Sequence, residues 1–130
     1  MAESAFGAVM RLLRERRGLS LRELGTLADT DHAYIAKIER GEKEAPPEET
    51  FARLARSLRT SAHEISLLRF LGATPNIAPD LAVHAVGDLE VTPELLTIAA
   101  STVHRGAGRP SPAELIVRAK RAKRIMEGNE

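Results

Sequence analysis

Apolar residues recur along this chain at spacings of three and four, with polar residues and turn formers between the clusters. That spacing marks one face of an α-helix, so a run of short amphipathic helices is predicted. Phe6, Val9, Met10 and Leu13 form such a face over 4–16. A second helix is predicted over 21–28. Ser20 stands at its N-cap with Glu23 three residues on, a capping box, and Leu24, Leu27 and Ala28 make its stripe. After Asp29-Thr30, Asp31 can cap a third helix over 32–40, with Ile35 and Ile38 inward and Gly41 closing it. Pro46-Pro47 opens a fourth helix over 47–58 on Phe51, Leu54, Ala55 and Leu58. Ser61 with Glu64 repeats the capping box for a fifth helix over 62–71, with Ile65 and Leu68 inward.

The segment GATPNIAP, 72–79, breaks the pattern with two prolines and a glycine. A first domain is therefore expected over 1–72, a linker over 73–79 and a second helical region over 80–130. Asp80 to Val86 reads as a short apolar helix or turn. Thr92-Pro93 is a strong start signal for a helix over 93–103 carrying Leu95, Leu96, Ile98, Ala99 and Val103. A glycine-rich basic loop, RGAGRP, leads to Ser111…Glu114 and a helix over 112–126. There Leu115, Ala119, Ala122 and Ile125 or Met126 oppose Arg118, Lys120, Arg121, Lys123 and Arg124. That stripe cannot stay in water alone, so this helix is expected to pack on 93–103 or on a second subunit.

Helices 21–28 and 32–40, joined by three residues, have the form of a unit that lays its second helix in a DNA major groove. The order Leu19-Ser20, Leu24…Ala28, Tyr34-Ile35…Ile38-Glu39-Arg40-Gly41, Pro46, Glu49-Thr50 and Leu54-Ala55…Leu58 resembles the XRE, or Cro/CI-type, family of regulators. The resemblance implies an all-α fold with a five-helix lambda-repressor-like DNA-binding domain, read by the helix that begins near His32. It puts Asp31, His32, Ala33, Ala36 and Lys37 on the outward or leading face of that helix. Three departures stand out: Leu21 replaces a common Gln, Asp29 replaces the usual turn Gly, and the loop after Gly41 is acidic and one residue longer.

Within that frame, His32 and Lys37 can hydrogen-bond to base edges, Ala33 can meet a thymine methyl, and Tyr34 can reach a phosphate. Asp31 is expected to cap rather than touch bases, and Glu39 and Arg40 to pair within the domain. Arg22 and Lys43 bracket the reading helix and suit phosphate contact. Ser20 and Thr50 could donate to phosphate at helix N-termini. Arg11, Arg14, Arg16 and Arg17 read as a solvated face of the first helix.

Charge complicates this picture. Net charge is +1, and residues 1–72 carry twelve Lys plus Arg against eleven Asp plus Glu. Phosphate contact supplies most nucleic-acid affinity, so one near-neutral copy should bind weakly and two copies on a two-fold site are expected. A hydrophobic content of 43% permits a core of Leu, Ile, Val and Ala, with only 3% aromatic residues. Without cysteine, and without an apolar run near the roughly 18 residues that span a bilayer, a cytoplasmic, nucleoid-associated protein is expected. His32, His63, His84 and His104 show no paired spacing for a metal. No nucleophile elbow or phosphate-cradling loop is present, so neither cofactor nor enzymatic activity is expected.

A weaker resemblance covers the C-terminal part. The order V-T-P-E-L-L…H-R-G-A-G-R-P…A-K-R-I-M is similar to the C-terminal domain of the DdrO-type radiation/desiccation-response repressors. It implies a helical dimerisation domain and cleavage near His104-Arg105 by an ImmA/IrrE-type metallopeptidase, although His104 stands where an apolar residue is usual. Dimerisation is then expected through Leu95, Leu96, Ile98, Ala99, Leu115, Ala119 and Ile125. The expected function is a homodimeric repressor on double-stranded DNA, reading an inverted repeat with half-sites roughly 34 Å apart. The alternative is an antitoxin or interaction module that grips a toxin or peptidase through its C-terminal region and binds DNA for autoregulation.

Overall fold

In a computed structural model, which describes residues 3–101 and 108–128, the chain is all-α. The described residues form eight helices and no strand: α1 Ala5–Arg16, α2 Leu21–Ala28, α3 His32–Glu39, α4 Glu48–Ser57, α5 Ala62–Ala73, α6 Pro79–Val86, α7 Pro93–Ala100 and α8 Pro112–Met126. Local chemistry sets most of the starts. Ser20, Ser61 and Ser111 each complete a capping box with the glutamate three residues on. Ser4, Asp31 and Thr92 accept from backbone N–H groups of α1, α3 and α7. Pro47 is the residue before α4 rather than its first member, and offers no side-chain cap.

Helix α1 is the hub. Residues Ala5 to Met10 are all buried, with Leu13 as well, so the helix is enclosed on more than the one face its large residues predict. It contacts α3, α5 and α6. A Cβ at Gly7 would lie 2.4 Å from the Ile38 carbonyl oxygen and 2.6 Å from that of Glu39, so only glycine lets the end of α3 rest directly on α1. Helices α1 and α6 pack against one another, and each carries two buried alanines, Ala5 and Ala8 on α1 and Ala82 and Ala85 on α6.

The segment expected as a linker does not separate two bodies. Helix α5 runs on to Ala73, Ile77 is buried, and α6 packs against α1, α5 and α8. One continuous apolar cluster runs from Ala5 to Ala119. The prolines and glycine bend the chain there, and apolar residues on either side draw it back onto the core.

Helices α7 and α8 pack on one another. Leu95, Leu96, Ala99, Leu115 and Ala119 are buried in the chain's own core, and Ile98 packs half-buried against it. Of the seven residues expected to hold two subunits together, only Ile125 is broadly exposed, at 57%. The stripe of α8 also differs from expectation. Ile116 joins Leu115 and Ala119 inside, while Ile125 and Met126 stay exposed. Leu27 is another reversal: it faces outward on α2 rather than joining Leu24 and Ala28.

Candidate nucleic-acid interface

The turn between α2 and α3 determines how the candidate reading helix is presented. Asp29 caps α2 in the left-handed conformation, with φ 51° and ψ 50°, a region that Asp enters at lower cost than most residues. A Cβ at Gly25 would sit 2.6 Å from the Thr30 carbonyl oxygen and 3.3 Å from the His32 Cβ. Gly25 therefore allows the turn and the start of α3 to fold tightly over α2. Sequence periodicity did not single it out, since a glycine inside an eight-residue helix reads only as a weak former.

The far end of α3 is locked to α1 by charge. Arg14 Nε and Nη2 donate to Glu39 Oε2 and Oε1 at 2.8 and 3.0 Å, and Nη1 donates to the Leu19 carbonyl at 2.8 Å. The Glu39 side chain is 5% exposed and that of Arg14 12%. Hydrogen bonding to Glu39 raises the Arg14 pKa above its ordinary value against the cost of burial. Arg53 on α4 donates to the Ala28 carbonyl at 2.9 Å and so ties α4 to the last residue of α2.

The arginines of α1 and its C-cap Arg17 are thus not simply a solvated face. Arg16 pairs with Glu64, Arg17 donates to the Ser57 carbonyl, and only Arg11 makes a plainly exposed pair, with Glu15. Such partners lie 40 or more residues away for Arg16 and Arg17, so no local pattern announces them.

On the outward side of α3, Ala33 and Lys37 are exposed and His32 and Ala36 partly so. Asp31 accepts from the Ala33 N–H at 3.1 Å, as a cap does. Tyr34 packs against the core with part of its ring accessible. The loop after Gly41, whose φ is +78°, folds back so that the Glu42 and Lys43 N–H groups both meet the Lys37 carbonyl. Lys43 is thereby set beside the C-terminal end of α3, and Arg22 is exposed on α2. Arg40 donates to Glu42 at 2.7 Å, and that bond holds the Glu42 carboxyl below its ordinary range. Glu39 and Arg40 each pair within the domain, with Arg14 and Glu42 respectively.

Ser20 accepts from the Glu23 N–H at 3.0 Å, leaving its own O–H free to donate outward. The Thr50 hydroxyl is half-buried and faces Arg53 Nη2 at 3.4 Å. Among the described residues Arg22, Lys37 and Lys43 form no ion pair, and exposed Asp29, Asp31, Glu23 and Glu44 offset them. The face is a shaped one of nearly balanced charge. His104 and Arg105, expected at a cleavage point, lie outside the described residues.

Two helices crossing over a tight turn, braced by α1 and α4, define a helix-turn-helix fold. The sequence profile of the family described as "Helix-turn-helix domain" matches residues 5–75, over half of the chain, and the chain belongs to that family. The match covers α1 to α5 and stops short of the C-terminal helices. No curated protein and no solved structure matches the chain. No helix among the described residues is long and apolar enough to cross a membrane.

Proposed function

We propose that this protein is a sequence-specific DNA-binding repressor that acts as a homodimer on an inverted-repeat operator. The observation that carries the reading is the exposed side of α3. It presents Ala33, Lys37 and part of His32, while its opposite side is clamped to α1 through Gly7 and the Arg14–Glu39 pair. A helix held this rigidly can meet base edges in a groove without first being ordered. Lys37 and His32 reach toward bases, Ala33 toward a methyl group, and Ser20, Arg22, Tyr34, Lys43 and Thr50 toward phosphates. Asp31 holds the start of α3.

Near-balanced charge supports the dimer, because one copy gains little from counterion release and two linked copies gain twice. With Leu95, Leu96, Ala99, Leu115 and Ala119 consumed by their own chain, the subunit contact falls to other, exposed residues. Relief of repression by a peptidase cutting near His104-Arg105 rests on the sequence likeness alone, and limited proteolysis of the DNA-bound protein examines it.

Selection from a random duplex pool, followed by titration of Lys37→Ala and His32→Ala, tests the reading. Loss of a base contact should cost about 1–3 kcal/mol and relax preference at one position, whereas loss of a phosphate contact should weaken all sequences alike. A protein that ignores every duplex at low ionic strength is not a DNA-binding regulator.

A further inference from the structure

We propose that the outward face of α8 is a docking surface for an acidic amphipathic helix of another protein. The face consists of Val117, Arg121 and Ile125 at i, i+4 and i+8, flanked by Arg118 and Arg124, all five exposed. Val117 is 65% exposed and Ile125 57%. The two branched aliphatics lie roughly 12 Å apart along the helix axis with Arg121 between them, so the face is apolar at both ends and cationic at its centre.

Charge on this helix is sorted by side. Lys120 donates to Asp88 and Glu90 at 3.0 and 2.8 Å, and Lys123 lies 3.4 and 3.6 Å from Glu94 and Glu127. Arg109, in the loop before α8, pairs with Asp80 at 2.8 Å. The carboxylates of the C-terminal helices are thereby engaged. Glu114, the acid nearest the arginine face, is turned back to the Ser111 N–H and hydroxyl in the capping box. Arg118, Arg121 and Arg124 have no ion pair among the described residues and follow one another at i+3, a spacing at which like charges repel.

The occupant must therefore bring carboxylates to the arginines and an apolar stripe to Val117 and Ile125. A DNA phosphate backbone supplies the charge but no apolar surface for two exposed aliphatics. A second copy docked through this same face would bring arginines to arginines, with no carboxylate between them. Helix α8 packs on α6 and α7, whereas α3 packs on α1 and α2, so docking here does not rest on the DNA reading above.

The test uses two synthetic helical peptides, each with leucines at i, i+4 and i+7. One carries flanking glutamates and the other lysines at the same positions. In fluorescence anisotropy the full chain should bind the glutamate peptide. Combined Arg118→Glu, Arg121→Glu and Arg124→Glu should weaken that binding at least about tenfold and transfer preference to the lysine peptide. Val117→Ser with Ile125→Ser should weaken the glutamate peptide with the charge intact. Circular dichroism confirms that each variant folds. Equal binding of the glutamate peptide by parent and charge-reversed chain, or of neither peptide by the parent, overturns the proposal. So does a charge-reversed chain that loses duplex affinity or changes mass in solution while its peptide binding stays the same. The parent's own duplex binding is scored separately and decides only the α3 reading.

Discussion

At the scale of single residues, two carboxylates carry more than their sequence neighbourhoods suggest. Glu39 ends the candidate reading helix yet points into the domain, bidentate to Arg14. Removing one member of a buried pair leaves the other charged and uncompensated, at a cost of about 3–5 kcal/mol. Because Arg14 keeps its bond to the Leu19 carbonyl and a little solvent, Glu39→Ala should fall near the lower end in urea unfolding. Glu39→Gln, which retains an acceptor, should lose less. Glu64 is one of the carboxylates that contribute to acid behaviour. Burial opposes its ionisation, but the Ser61 backbone N–H and Arg16 outweigh burial and hold its carboxyl below the ordinary value of 4.5. A depressed carboxyl stabilises the fold fully above its unfolded pKa and loses that contribution as pH falls through the folded one. Thermal melting of Glu64→Gln should therefore differ from the parent at neutral pH and converge with it in acid. A constant difference at all pH values would show that Glu64 acts only by packing.

At the scale of the helices, what could be read in advance was whatever is local. Ser20/Glu23, Ser61/Glu64, Ser111/Glu114 and Thr92-Pro93 marked helix starts that the structure keeps to within one residue, because a cap is completed within one turn. The second buried side of α1, the outward Leu27 and the exposed end of α8 depend on neighbours distant in sequence, and periodicity is blind to those. The candidate interface divides in the same way. The outward positions of α3 follow from helical spacing, whereas Gly25, Arg14 and Arg53 shape it through contacts with other elements. Arg40 shows the consequence for binding. It is exposed on α3's C-terminal cap, but Glu42 occupies its guanidinium. Glu42→Gln should free Arg40 for phosphate, tightening binding to all duplex sequences and steepening the salt dependence by about one charge. Titrations across several salt concentrations measure this, and an unchanged slope would mean that Arg40 lies away from the DNA backbone.

At the scale of the whole molecule, the boundary of the family match and the boundary of the core do not coincide. Residues 5–75 match the helix-turn-helix domain, yet α6 packs on α1 and shares one apolar cluster with α1 through α5. Leu81, 1% exposed on α6, belongs to this shared core, and Leu81→Ala should cost about 2–5 kcal/mol. If the core is one unit, that loss must be felt in α2 and α3 as well as in the C-terminal helices. Calorimetry should then show a single transition for the parent and a single, lower one for the variant, with hydrogen exchange accelerated across α1 and α3 alike. Two transitions, with only the later helices shifted by Leu81→Ala, would mean that the DNA-binding unit folds independently of α6 and that the contact with α1 adds little to its stability.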